Sequence, residues 1–229
     1  MTSPSPLLYD TYYHIYNRGV NGENIFVEKR NYELFLNLFG RHLTPVADLF
    51  AYCLLKNHFH LSVRIKSEEE ILETVKTLKV SIVSTRPDRQ EAFPNSGDRS
   101  QGKPLGFESY ASRQFSNFFN AYAKTINKAY GRTGSLFQHP FGRVPITKDK
   151  QFWNVIAYIH QNPQKHGFVK DFRDWKYSSY GMILASNGKP GIVKHHEVMK
   201  WFGTREDYLA LHNQWVTDAQ AKWFTNDLD

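Results

Sequence analysis

The sequence predicts an α+β fold: a central antiparallel sheet flanked by helices, followed by a helical C-terminal appendage. Three observations predict it. Strand, helix, strand and strand patterns follow one another within the first 65 residues. Two long helical patterns then flank a short strand-like stretch, and the last 60 residues read as short capped helices.

"TYYHIYNRG", Thr11 to Gly19, is aromatic and β-branched and ends at a glycine turn, so it reads as a first strand. "EKRNYELFLNLFGRH" carries Tyr32, Leu34, Phe35, Leu38 and Phe39 at helical spacing, with a stop expected near Gly40. "DLFAYCLL", Asp48 to Leu55, is a second strand that meets "HFHLSVRI" across Lys56-Asn57, a polar break suited to a hairpin. This order is the first half of a split βαβ unit, which predicts a ferredoxin-like core. Ser67 and the glutamates after it open a further helix. Residues 86 to 108, rich in Pro, Gly, Ser and charge, read as an exposed, mobile insertion. Helical spacing resumes from Tyr110 to Tyr130. "FGRVPI" suits an edge strand because of Pro145, and "KDKQFWNVIAYIHQ" suits a helix capped by Thr147 and stopped at Asn162-Pro163. The expected division is a catalytic domain over 1–170 and a helical extension over 171–229. In that extension "KHHEVMKWFG" and "TREDYLALHNQWV" form two short helices, the second capped by Thr204. Surface packing is the favoured role for this pair, with DNA binding or subunit contact as the alternative.

The 229 residues can bury a sizeable core without staples. The lone cysteine, Cys53, allows no internal disulfide and no cysteine-based zinc site. No apolar run nears the roughly 20 residues that cross a bilayer, and "MTSPSPLLYD" does not resemble a signal peptide, so no membrane partner and a cytoplasmic location are expected. A formal charge of +7 and 15% aromatic residues suit phosphate neutralisation and base stacking.

Alternation along the strand places Phe59, Leu61, Val63 and Ile65 on one face and His58, His60, Ser62 and Arg64 on the other. Two imidazoles on one face can share a cation. Alone, the pattern is explained more simply by half-exposed residues on an ordinary strand.

A second motif changes that balance. In "WNVIAYIHQNP", Phe152, Val155, Ile156 and Ile159 form a core stripe. Tyr158 and Asn162 project from its flank, about 40° apart around the axis and roughly 6 Å along it, and Gln151 and Asn154 extend the polar strip. A phenol is a poor nucleophile at neutral pH, and a divalent cation on a phosphate would assist it. Two imidazoles and one amide oxygen leave coordination sites for phosphate and water. That donor set suits Mg²⁺ or Mn²⁺, with Mn²⁺ favoured by the imidazoles and Zn²⁺ also compatible. Attack by Tyr158 on a DNA phosphodiester would give a 5′-phosphotyrosine and a free 3′-OH. Tyr122 is the rival nucleophile, but its amide partner, Asn127, is five residues away and about 140° around the helix, so the two do not share a face.

Four stretches in this order, "YHIYNRGVNGENIF", "LLKNHFHLSVRI", "GRTGSLFQHPFGRV" and "YIHQNPQKHGFV" followed by "DWKYSSY", resemble the single-tyrosine (Y1) HUH transposases of the IS200/IS605 kind, in particular the REP-associated tyrosine transposases. The resemblance runs from about Tyr12 to Tyr180. It implies a ferredoxin-like core with the histidine pair on a central strand and the nucleophile on an adjacent helix. His58 and His60 match the metal-binding histidines, Tyr158 matches the nucleophilic tyrosine, and Asn162 stands where relatives place a further Gln or Asn ligand. The resemblance also implies single-stranded DNA with hairpin structure as partner, and a homodimer. Arg64, Lys124, Arg132 and Arg143 are the candidate DNA contacts. Two alternatives share the core: a nucleic-acid-binding protein without chemistry, and a replication-initiator or relaxase-type nickase. The absence of a helicase motif and the short chain weigh against the latter.

Overall fold

In a computed structural model, the structure describes residues 7–85, 107–185 and 191–224, with the side chains of 78–85 and 107–109 excepted. The insertion expected over 86–108 therefore lies almost wholly outside the described residues. Among them, strands β1 (Tyr12–Arg18), β2 (Ala47–Leu54), β3 (His58–Ile65) and β4 (Gly142–Ile146) form one antiparallel sheet in the order β2-β3-β1-β4. Helix α1 (Lys29–His42) joins β1 to β2. Helices α2 (Glu68–Thr85) and α3 (Phe107–Ala129) lie between β3 and β4 in sequence. The fold is α+β with the expected ferredoxin-like strand order.

The Lys56-Asn57 hairpin tip is pinned from outside. Its carbonyls accept from Ile25 N (2.8 Å), Phe26 N (2.9 Å) and Gly19 N (2.8 Å). This anchors the end of β3 that carries His58.

One face of the sheet packs on α1 and α3. Phe59 meets Phe35 at 4.9 Å and Phe119 at 5.8 Å between ring centroids, and Phe35 meets Phe118 at 4.8 Å. Burying each such ring contributes about 1.5–3 kcal/mol. The opposite face is covered as well. Helix α4 (Asp149–Lys165) follows β4, and its Phe152 packs on Phe50 (5.6 Å), Tyr12 (5.3 Å) and Trp201 (4.9 Å). Both histidines are therefore interior: His58 is 5% exposed and His60 1%. The simpler expectation of half-exposed strand residues fails because a third layer covers them, which alternation within one strand cannot reveal.

Two expectations for α4 are corrected. Its N-cap is Lys148, while Thr147 donates to the Gln151 side chain instead of capping. The helix also runs through Pro163 to Lys165, and its last turn is closed by His166 N donating to Asn162 O (3.0 Å). Proline removes one donor but does not by itself end a helix packed on both sides. Helix α1 likewise continues past Gly40 to His42, where Leu43 N closes on Phe39 O.

Beyond α4 come α5 (Tyr180–Ala185), α6 (His195–Phe202), α7 (Arg205–Asn213) and α8 (Asp218–Ala221). The two expected helices are α6 and α7, and Thr204 caps α7 by accepting from Asp207 N. This extension extends the sheet rather than resting on its surface. Tyr177 O accepts from Leu54 N, and Ser179 N and Lys194 N donate to Tyr52 O and Leu49 O, covering the free edge of β2. No helix among the described residues is long and apolar enough to cross a membrane.

Candidate active site

β3 and α4 bring His58, His60, Tyr158 and Asn162 to one seam. The rings of His58 and His60 are perpendicular at 5.2 Å, and the Tyr158 ring stands edge-on to His60 at 5.6 Å. Tyr158 is 3% exposed and Asn162 fully buried. The sequence placed both on a polar flank of α4. The structure buries every residue from Asn154 to Pro163, because the chain after α7 folds back over that flank. Gln161 anchors this return, donating to the carbonyls of His212 (3.1 Å) and Gln214 (2.8 Å) and accepting from Val216 N (3.1 Å).

The hydrogen bonds of the site fix which atoms remain for a ligand. His58 Nδ1 lies 2.7 Å from Asn57 Oδ1, an acceptor, so the proton sits on Nδ1 and Nε2 is the nitrogen that can ligate. His60 Nδ1 is engaged by His14 Nε2 at 3.0 Å, and His60 Nε2 is buried with no hydrogen-bond partner among the described residues. Asn162 Nδ2 donates to Tyr158 O (2.8 Å), while Asn162 Oδ1 is also buried without a partner among the described residues. Buried polar atoms are rarely left in this state, and each costs about 1–3 kcal/mol. Burial, and then the neighbouring charges of His14, His58, His166 and Lys165, holds the His60 imidazole well below its usual range, so it is neutral as a ligand must be.

These donors fit a divalent cation: two imidazole nitrogens and an amide oxygen, with two of the three groups holding an unsatisfied lone pair. Among the described residues no three His, Cys, Asp or Glu side chains converge as an alternative metal site. The set therefore depends on Asn162.

Sequence reasoning missed several neighbours. His14 faces the same side as the histidine pair, since β1 pairs with β3 so that His14 lies opposite Ser62, Tyr16 opposite His60 and Arg18 opposite His58. Its signal was the alternation of "YHIYNRG", but the register was not readable. Tyr16 stacks on His60 at 6.0 Å and lies tilted against His14 at 5.0 Å. Its ring occupies the space where a side chain at Gly142 would begin, 2.2 Å from an added Cβ, so only glycine fits there. His166, just past α4, packs edge-on to His58 at 4.8 Å. Lys165 Nζ stands 5.3 Å from the centroid of the Tyr158 ring and pairs with Asp218 of α8 at 2.8 Å. Phe224 covers the nucleophile candidate, its ring 5.2 Å from that of Tyr158.

The four candidate DNA contacts do not gather here. Arg64 lies six residues along β3 from His58, about 20 Å away. It is bound by Asp48 and Glu70, each at 2.7 Å, and by Asp10 at 3.5 Å. Burial alone would lower its guanidinium, but the Asp48 and Glu70 carboxylates outweigh that and raise it above its ordinary value. Arg132 is paired with Glu23. Arg143 lies over the Phe141 ring at 3.9 Å, opposite Ile15 and so on the other face of the sheet. Lys124 is exposed on α3, which packs on α1 on that far face. The rival Tyr122 is a core residue: fully buried, it donates to Ile25 O at 2.7 Å, and burial pushes its phenol well above its usual value.

No family model matches the chain. It is similar to a Haemophilus influenzae protein named as a REP-associated tyrosine transposase, 26% identical over 133 residues that make up 58% of each chain. It is also similar to the REP-associated tyrosine transposase of Escherichia coli K12, 28% identical over 96 residues, 42% of this chain and 53% of that one. The matched regions span only a little over half the length of these relatives. Among solved structures, a REP-associated tyrosine transposase bound to a REP hairpin shares the fold. Its TM-score is 0.52 at 16% identity, covering 83% of this chain and 88% of that one. The resemblance expected from the four sequence stretches is thus met by relatives of that name.

Proposed function

We propose that this chain is a metal-dependent, transposase-type endonuclease and strand transferase that nicks and rejoins single-stranded DNA beside hairpins through a 5′-phosphotyrosine on Tyr158. One observation carries the reading: His60 Nε2 and Asn162 Oδ1, two buried lone pairs without partners among the described residues, flank a tyrosine in the seam between β3 and α4. The names of the curated relatives support the transposase class.

His58, His60 and Asn162 would hold the cation. When bound, it would draw charge from the phosphate and stabilise the departing oxygen. The phenolic oxygen of Tyr158 forms a bond to phosphorus as the bond from phosphorus to the 3′ oxygen breaks. The phenol's proton is lost to solvent, and the 3′ oxygen leaves as a protonated hydroxyl. Because one phosphodiester is exchanged for another, the reverse attack by a 3′-OH rejoins the strand without ATP. Lys165, whose ammonium lies 5.3 Å from the Tyr158 ring centroid and would have to leave Asp218, and Arg18, the cross-strand neighbour of His58, would meet the phosphate. All these groups come from one chain, so the expected homodimer is not needed to complete the site.

A hairpin oligonucleotide with a single-stranded flank tests the reading. With Mn²⁺, the wild-type chain should cleave it and Tyr158→Phe should not, while both bind the hairpin equally. Cleavage by Tyr158→Phe would contradict the assignment. The reading without chemistry is favoured by one feature, the cover of Phe224 over Tyr158. Binding without cleavage after that cover is removed would support it.

A further inference from the structure

We infer that His14 is a positioning residue: a directed chain of hydrogen bonds from the Phe224 carbonyl through His14 holds His60 in the tautomer protonated on Nδ1, leaving Nε2 as its ligating nitrogen. This rests on the proposed metal site for its purpose, but the tautomer itself can be read without metal.

The direction of the chain follows from what each atom can do. Phe224 O lies 2.6 Å from His14 Nδ1, and a carbonyl only accepts, so Nδ1 of His14 carries the proton. A neutral His14 then has an acceptor at Nε2. That atom lies 3.0 Å from His60 Nδ1, which must therefore donate. A neutral His60 protonated on Nδ1 has its lone pair on Nε2, the atom that is buried without a partner among the described residues. Both rings are interior, His14 0% and His60 1% exposed, where a charge would be costly, so both are neutral. The stacked rings, 5.2 Å apart and 14° from parallel, keep the contact in register.

The molecule contains a second chain of the same construction, and the contrast is informative. Tyr208 O accepts from His212 Nδ1 (2.7 Å), and His212 Nε2 accepts from His160 Nδ1 (2.8 Å). His160 Nε2 then accepts from the Ser179 hydroxyl (2.8 Å). Carbonyl, imidazole and imidazole end there on a donor, and every atom is satisfied. Among the described residues the His14 chain ends on no partner. A structural relay would close as the His160 chain does, whereas an open end suits a ligand from outside.

The test is nitrogen NMR of the histidine rings in the metal-free full chain labelled with [¹⁵N]histidine, followed by titration with Mn²⁺. Wild-type His60 should be protonated on Nδ1. In His14→Gln the amide oxygen can still accept, so the tautomer and the Mn²⁺ affinity should be kept. In His14→Phe the acceptor is lost. His60 should then shift toward protonation on Nε2, with Mn²⁺ binding weakened about 10- to 100-fold, while the His160 and His212 signals stay unchanged as the control for folding. A wild-type His60 protonated on Nε2, or an unchanged tautomer in folded His14→Phe, would overturn the inference. If His14→Phe does not fold, the wild-type spectrum alone decides. An Nδ1-protonated His60 that takes up no Mn²⁺ would uphold the relay and remove the metal reading instead.

Discussion

The Phe224 ring lies 5.2 Å from the Tyr158 ring, and the Phe224 carbonyl bonds His14 at 2.6 Å, so one C-terminal residue both covers the candidate nucleophile and ends the histidine chain behind it. The covering segment is held by Gln161 and by Lys165 with Asp218. On the proposed reading, DNA would reach the phenol, which is 3% exposed, only if this segment moved.

Phe224→Ala should therefore expose Tyr158 while keeping the carbonyl. Nitration of Tyr158 by tetranitromethane and cleavage of a hairpin oligonucleotide should both rise several-fold. The loss of a fully buried ring should cost about 3–5 kcal/mol of stability. Unchanged nitration would show that the ring does not gate access.

Asn162 supplies the oxygen on which the proposed ligand set depends. Asn162→Ala should weaken Mn²⁺ binding by at least about tenfold, and Asn162→Asp, which keeps an oxygen, should bind Mn²⁺ as well as or better than wild type. Calorimetric titration decides. Equal affinity in the alanine variant would remove Asn162 from the set.

The charge placement distinguishes Lys165 from Arg64. Lys165→Ala should reduce the salt dependence of hairpin binding by a slope of about one. Arg64→Ala should leave that slope unchanged and instead destabilise the fold, because it leaves Asp48 and Glu70 without their guanidinium. The opposite pattern would return Arg64 to the DNA surface.

Buried histidines set an acid limit on stability. Burial pushes His14 and His212 down to about 4, and His60 and His160 lie well below their ordinary value for the same reason. Below pH 6.5 the unfolded chain takes up protons that the folded chain refuses, so stability falls as pH drops from about 6.5 to 4. The loss is about 3 kcal/mol for each of His14 and His212. Urea midpoints of the metal-free protein should decline between pH 6.5 and 5, above the carboxylate range. A flat profile there would contradict the buried, neutral state.

The fold was legible because its signals are local. Alternation in "HFHLSVRI" and the helical stripe of Phe152, Val155, Ile156 and Ile159 identify elements from neighbours in sequence alone. What covers the histidine face was not legible, because α4 and the returning C-terminal chain reach it from about 100 to 165 residues away in sequence. For the same reason Tyr158 read as a flank residue although it is interior, and His14 went unassigned because its place opposite Ser62 depends on the register of β1 against β3. The surroundings of isolated basic residues were not legible either. Arg64 and Arg132 are neutralised by Asp48, Glu70 and Glu23, and Arg143 is turned to the opposite face.

The most direct measurement is the identity of the residue that becomes bonded to DNA. The chain, with Phe224→Ala to open the site, is incubated with Mn²⁺ and a hairpin oligonucleotide carrying a single-stranded flank, then digested and sequenced by tandem mass spectrometry. The expected product is a peptide with a 5′-phosphonucleotide on Tyr158, together with a free 3′-OH fragment. A nucleotide on Tyr122 or another tyrosine, or cleavage with no covalent adduct, would contradict the account.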